Sequence, residues 1–276
     1  MDIGIAIPNG LANQPFHLER HVTDKITFEQ PLRERIRIFL RLESLYQSIL
    51  SNLQGTSACH SRQALNGILD LHNIFIRNDL KSEVMKELER QISVLSKLEQ
   101  IPGVNIQKLT NTLDELDVLN DRIHAIDGQI GQELKQNELL SAIKQRTSIP
   151  GGCCDFDLPA YHFWLEQAHS KRQADLQSWL DHFEAVCESI NLVLHLIRDS
   201  ALPVSEVAVE GFFQLALDAN QPCQLVRVSL PRSSPYFPEI SGGKHRFNIR
   251  FMRFNLDQRP VATEETIQFD LACCII

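Results

Sequence analysis

The apolar residues change period at Pro203, and that switch limits the folds open to the chain more than any other feature. Upstream, Leu176, Leu180, Phe183, Cys187, Ile190, Leu194 and Ile197 recur at three- and four-residue steps over more than 20 residues. This spacing predicts one long central packing helix. Downstream, Val204–Val209, Leu225–Leu230, Arg246–Phe254 and Thr266–Cys273 alternate at period two, which predicts strands. Pro222, Pro231, Pro235, Pro238, Gly242-Gly243 and Pro260 punctuate them. Helices first and strands after define an α+β chain with segregated layers, an all-helical N-terminal domain followed by a mostly antiparallel sheet domain, rather than a wound βαβ sheet.

Earlier stretches extend the helical pattern. A short strand is expected over Lys25–Gln30, and Pro31 opens a helix with Leu42, Leu45, Tyr46, Ile49 and Leu53 inward. A second helix is expected over Ser61–Arg77, and a third, capped by Asp79, carries Leu80, Val84, Leu88, Ile92 and Leu95 up to Pro102-Gly103. Asn105 caps a fourth that ends at Asp127-Gly128, and a fifth carries Leu134, Leu140 and Ile143. Residues 1–25 hold Pro8, Gly10 and Pro15 without periodicity and read as a loose leader. The expected organisation is therefore a leader over residues 1–25, a helical domain over 26–200 whose first strand could join the sheet, and a strand domain over 201–276.

Between the fifth helix and the long one lies a knot, SIPGGCCDFDLPAYHFWL (Ser148–Leu165). Pro150 has no amide hydrogen and Gly151-Gly152 tolerate positive φ, so no helix passes through and the backbone turns sharply between Ile149 and Cys153. Asp157 before Leu158-Pro159 predicts a helix start with an aspartate near its cap and proline in the first turn.

Charge and cysteine usage narrow the function. Against 27 Lys+Arg stand 35 Asp+Glu, a formal charge of −8, which argues against general coating of nucleic acid. No run approaches the ~20 apolar residues of a membrane span, and the start lacks a basic n-region, so the expectation is a cytoplasmic chain without membrane insertion. Seven cysteines, four of them in the adjacent pairs Cys153-Cys154 and Cys273-Cys274, suit reduced thiols better than a disulfide framework. Adjacent cysteines on extended backbone point opposite ways, so neither a zinc site nor any other cofactor is expected. His162 with Asp155, Asp157 and a cysteine suggests a hydrolase on paper, yet no nucleophile elbow or family cysteine signature accompanies them. No catalytic residues are assigned. Neither Gly151-Gly152 nor Ser241-Gly242-Gly243-Lys244 is a phosphate loop.

The strand from Lys244 is the most informative segment after the knot. Alternation puts Phe247, Ile249 and Phe251 on one face and Lys244, Arg246, Asn248 and Arg250 on the other. Same-face neighbours lie only about 7 Å apart, so these cations repel unless an acid compensates. Asp270 on the last strand is a candidate internal partner. An acidic peptide from outside is the preferred one. Arg33, Arg35, Arg37 and Arg41, four cations within nine residues, add to the case for a binding surface over a merely solvated helix face. A nucleic-acid-binding module built on Lys244–Arg253 is the alternative, opposed by the placement of Phe247 and Phe251 away from the cations.

Read as QR-x-SIPGGCC-x-FDLP-x-x-H-x-WL (Gln145–Leu165), the knot resembles the signature of the ZapD family of bacterial cell-division proteins. FEQPLRERIRIFLRLE (Phe28–Glu43), KELERQ (Lys86–Gln91), PGV (Pro102–Val104), YFPEISGGKHRFNIRFM (Tyr236–Met252) and DLACC (Asp270–Cys274) agree in the same order, so the resemblance covers roughly residues 26–274. It implies a non-enzymatic cytoplasmic adaptor at the midcell division ring, dimeric, that binds the C-terminal tail peptide of FtsZ and cross-links FtsZ filaments into bundles. The family's basic site maps onto Arg246 and Arg250, with Lys244, Arg41, Arg77 and His162 as further members. Glu138 stands where relatives tend to carry a basic residue, with Lys135 or Lys144 as possible substitutes. Deleting residues 1–25 is expected to leave thermal stability and FtsZ bundling unchanged. A truncated chain that no longer stays in solution would show that the segment belongs to the core.

Overall fold

The computed structural model describes residues 24–77, 79–218, 220–243 and 245–275. Its order is β1 (Lys25–Pro31), α1 (Glu34–Leu53), α2 (Ala58–Arg77), α3 (Leu80–Leu95), α4 (Ile106–His124), α5 (Glu138–Arg146), α6 (Pro159–Leu165), α7 (His169–Asp181) and α8 (Glu184–Asp199). Then come β2 (Val204–Ala208), β3 (Phe212–Ala216), β4 (Leu225–Pro231), β5 (Tyr236–Gly242), β6 (Arg246–Arg253), β7 (Val261–Ala262) and β8 (Ile267–Cys274). The chain is α+β, and it divides into two compact units. Among the described residues, one comprises residues 24–38 with 194–275, the other residues 39–193.

In the first unit two antiparallel sheets, ordered β1-β4-β8-β2 and β3-β6-β5 with β7 on β6, share one hydrophobic cluster. Alternation makes this possible. Val226, Val228 and Leu230 from β4, and Ile267, Phe269 and Leu271 from β8, meet Phe247, Ile249 and Phe251 from β6. Phe269 is the pivot, with ring centroids 5.1 Å from Phe251 and 5.3 Å from Phe213. Glu210 and Gly211, at φ 51° and 65°, close a tight turn in which the Phe212 amide donates to the Val209 carbonyl at 3.0 Å. Positive φ at both central residues is the hairpin geometry that joins β2 to β3.

The other face of the first sheet carries a partly buried carboxylate shared by two arginines. Glu29 on β1 accepts from Arg198 Nε and Nη2, both at 2.8 Å, and from Arg227 Nε at 3.0 Å. Burial pushes the Glu29 carboxyl up, but the hydrogen bonds and charges of Arg198 and then Arg227 outweigh it and leave it below the usual glutamate range. On the same face Lys25 pairs with Asp270, and the Thr27 and Ser229 hydroxyls lie 2.8 Å apart.

In the second unit the helices bury regular stripes. Asp79 Oδ1 accepts from the Ser82 amide at 3.3 Å and Asn105 Oδ1 from the Lys108 amide at 3.1 Å, so both expected caps are in place. Arg172 on α7 is buried and donates to Ser61 Oγ at 3.0 Å, to the Leu165 carbonyl at 3.0 Å, to the Thr56 carbonyl at 2.9 Å and to the Gln167 carbonyl. One side chain thus ties the start of α2 to the α6–α7 junction. In the knot, Gly151 has φ 72° and a Cβ on Gly152 would stand 2.7 Å from the Arg146 carbonyl oxygen, so the turn needs both glycines.

Several expectations are corrected. The single long helix is two, α7 and α8, broken at His182-Phe183; Phe183 keeps the stripe by packing on Phe75, with centroids 5.0 Å apart. Leu134 lies in a 3₁₀ turn over Gln132–Gln136, and Asn137, not Leu134, leads into α5 by capping Leu140 at 3.0 Å. α6 begins at Pro159 as expected, with Asp157 next to its cap residue Leu158, but no side chain caps it, and Asp157 pairs with Arg146 at 3.4 Å. β3, β5 and β7 were not expected. Pro238 lies inside β5, where it is tolerated because β5 is at the edge of its sheet. The expected leader lies, up to residue 23, outside the described residues, and Lys25 is the first residue of β1.

Glu29 supplies the pH test. A carboxyl held below its unfolded value adds stability that is present above the usual glutamate range and is lost as pH falls through its folded value. Glu29→Gln is expected to cost about 3 kcal/mol at neutral pH, because two partly buried arginines lose their shared acceptor, and to cost progressively less as the pH of urea melts is lowered through 5 to 3 (about the carboxylate range).

Candidate functional site

β6 lies between β3 and β5, and its burial alternates residue by residue. Phe247, Ile249 and Phe251 are fully buried in the cluster between the sheets. Arg246, Asn248, Arg250 and Met252 therefore share the outer face. Register fills in the rest of that face: Phe212 and Glu239 flank Arg250, Gln214 and Ser241 flank Asn248, Ala216 stands beside Arg246, and Phe237 with Ala262 flank Met252. The result is a strip of two arginines with Phe212, Phe237 and Met252 among them. Phe212 is 42% exposed.

The two arginines are electrostatically open. Asp270, the candidate internal partner, lies on β8 of the other sheet and pairs with Lys25. Glu239 stands opposite Arg250 in register, yet neither Arg246 nor Arg250 forms an ion pair with any described residue. Between them the Asn248 Oδ1 has no hydrogen-bond partner. Arg253, at the end of the strand, is by contrast engaged: it stacks 5.4 Å from the Tyr236 ring centroid and reaches Glu265 at 3.5 Å.

The remaining expected site residues fall elsewhere. Lys244 lies outside the described residues. Arg41 on α1, Arg77 in the last turn of α2 and His162 on α6 belong to the helical unit, while Arg246 and Arg250 belong to the sheet unit. Among described residues no hydrogen bond or ion pair joins Arg41, Arg77 and His162 to one another. His162 is exposed, and its Nδ1 lies 3.2 Å from Asp155 Oδ1. All seven cysteines are free thiols, with Cys153-Cys154 in one unit and Cys273-Cys274 in the other. No group of three or more His, Cys, Asp or Glu among the described residues is placed to hold a metal.

The fold and this open strip define an α+β protein that offers a sheet face as its candidate site, and none of its described helices is long and apolar enough to cross a membrane. Comparison with known proteins supplies the family. The sequence profile of ZapD, described as a cell division protein, matches residues 40–250. Cell division protein ZapD of Methylococcus capsulatus is 42% identical over 253 residues, covering 92% of this chain and 99% of the relative. That of Coxiella burnetii is 37% identical over 257 residues, 92% and 100% of the two chains, and that of Aromatoleum aromaticum 38% identical over 249 residues, 90% and 97%. The chain belongs to the ZapD family of cell division proteins.

The two faces of β6 should separate in mutagenesis. Arg250→Ala is expected to change stability by less than about 0.5 kcal/mol, whereas Phe251→Ala should cost about 3–5 kcal/mol through the cavity it leaves. Chemical denaturation of the two variants measures this directly, and an equal loss in both would mean that Arg250 is structural.

Proposed function

We propose that the chain is a non-enzymatic adaptor of the cytoplasmic division ring at midcell, a homodimer that binds the C-terminal tail peptide of FtsZ and cross-links FtsZ filaments into bundles. The observation that carries this reading is the outer face of β6, where Arg246 and Arg250 lack acidic partners among the described residues and stand beside Phe212, Phe237 and Met252. Guanidinium groups take carboxylates through charge-assisted hydrogen bonds, and apolar side chains in the same strip take the apolar residues of a mixed peptide. One such strip per protomer gives a dimer two sites, and bivalency then converts peptide binding into filament bundling. Lys244, Arg41, Arg77 and His162 are further proposed members of the binding surface.

A second reading draws on the same face. Phe212 is exposed beside Arg250, and an aromatic next to a cation suits a stacked base of single-stranded nucleic acid. The formal charge of −8 favours the peptide, because nucleic acid needs a broad basic footprint.

Replacing both arginines, Arg246→Glu with Arg250→Glu, removes two charge-assisted contacts and adds repulsion. Calorimetry with the FtsZ tail peptide is expected to show at least about a hundredfold loss of affinity, steeper at low salt, with unchanged circular dichroism and dimerisation. A folded double variant that binds at full strength would move the site off β6, and wild-type protein that prefers a single-stranded oligonucleotide to the peptide would favour the second reading.

A further inference from the structure

The knot encloses an open pocket of about 480 Å³, formed wholly within the helical unit by Arg62 and Asn66 of α2, the turn from Thr147 to Phe156, and Tyr161 of α6. That volume is within the usual range for a small-ligand site. Its polar groups have an uncommon balance. Tyr161 is 1% exposed, yet its phenol oxygen has no hydrogen-bond partner, and burial pushes its ionisation up to about 12, so the group keeps its proton and is an unused donor. Arg62 lies with its guanidinium carbon 5.7 Å from the Tyr161 ring centroid and forms no ion pair with any described residue. Asp155, the acid of the lining, is engaged by His162. At the rim Phe156 is 83% exposed, an aromatic surface with nothing described to cover it.

An orphaned buried hydroxyl costs about 1–3 kcal/mol unless a ligand or water meets it, and an unpaired arginine beside it selects for an anion. We propose that this pocket receives a carboxylate carried by a partner peptide, with Arg62 as the charged contact, Tyr161 and Asn66 as hydrogen-bond donors, and Phe156 against an apolar residue next to the acid. The proposal goes beyond the β6 strip and does not depend on it. A carboxylate suits the site because its two oxygens accept from a guanidinium and a phenol together, and the neighbouring apolar residue gives Phe156 a partner that a free ion would not.

The chain carries its own reporter. Its two tryptophans are Trp164, stacked on Tyr161 with centroids 6.0 Å apart, and Trp179, 5.7 Å from Trp164. Full-length protein is titrated with acetyl-Leu-Asp-amide and with acetyl-Leu-Asn-amide, following tryptophan fluorescence and, independently, equilibrium dialysis. The aspartate peptide is expected to bind saturably and the asparagine peptide at least about tenfold more weakly. Arg62→Gln should weaken the aspartate peptide at least about tenfold, and Tyr161→Phe several-fold while the melting temperature holds or rises, since it removes an unpaired hydroxyl. The proposal is overturned if dialysis finds no saturable binding, if both peptides bind alike, or if Arg62→Gln binds as wild type. A loss of binding in Arg246→Glu/Arg250→Glu with none in Arg62→Gln would likewise overturn it, by assigning the peptide to the strip.

Discussion

Glu29, held by Arg198 and Arg227, is the contact on which the sheet unit depends. It brings together residues separated by 169 and 198 positions in the chain. β1 could not otherwise be secured from its own composition, because a seven-residue strand beginning with Lys25 and Ile26 has an exposed first half. Antiparallel pairing of β1 with β4 sets the register so that Glu29 faces Arg227 directly. The ion pair then completes what the ladder starts, since a partly buried carboxylate with two guanidinium partners is stabilised only when both remain. The helical residues 39–193 are thus an insertion between two pieces of a single sheet unit.

The helical unit solves the corresponding problem with a lone buried cation. Arg172 has no carboxylate among its hydrogen-bond partners; it is satisfied by one hydroxyl and three carbonyls from the N-terminal edge of α2 and from the α6–α7 junction. Burying a charge costs several kcal/mol unless its donors are met, so these loops are held in the positions that meet them. The knot gains from this. Its glycines define one wall of the turn, while Arg172 fixes the carbonyls at the end of α6 and so limits where Tyr161 and Trp164 can be placed.

The sequence was most readable where burial runs along one face. Most of the helical stripe is buried, although Leu45 and Ile92 are only half-buried and Ile106 at the start of α4 is 51% exposed, and the alternation of Phe247, Ile249 and Phe251 appears as expected, with the outward Arg246 and Arg250. It was least readable where tertiary contact replaces periodicity. Phe183 continues an unbroken stripe across a real helix break because it packs on Phe75, not because the backbone is helical there. Pro238 read as punctuation, since a proline rules out a central strand but says nothing of an edge. Missing β3 and β5 hid Phe212 and Phe237, and so hid the apolar half of the strip. The Glu210-Gly211 turn before Phe212 was the available signal. Tyr161's missing partner could not have been read from sequence at all, because an orphaned hydroxyl is visible only once every neighbour has been placed.

The placement of the strip on a central strand has an energetic logic. Arg246 and Arg250 are anchored through backbone ladders on both sides and through buried neighbours at 247, 249 and 251, so little backbone order remains to be lost when a ligand docks. The two arginines stand four residues apart on the strand, about 13 Å, so they repel each other little at physiological ionic strength, and an acidic partner gains from direct contact with each guanidinium. The formal charge of −8 does not cancel this. At physiological ionic strength charges farther than about 8 Å are screened, so an approaching acidic segment responds to the nearby arginines rather than to the distant acids, and association of this kind should weaken with added salt even though the protein as a whole is negative.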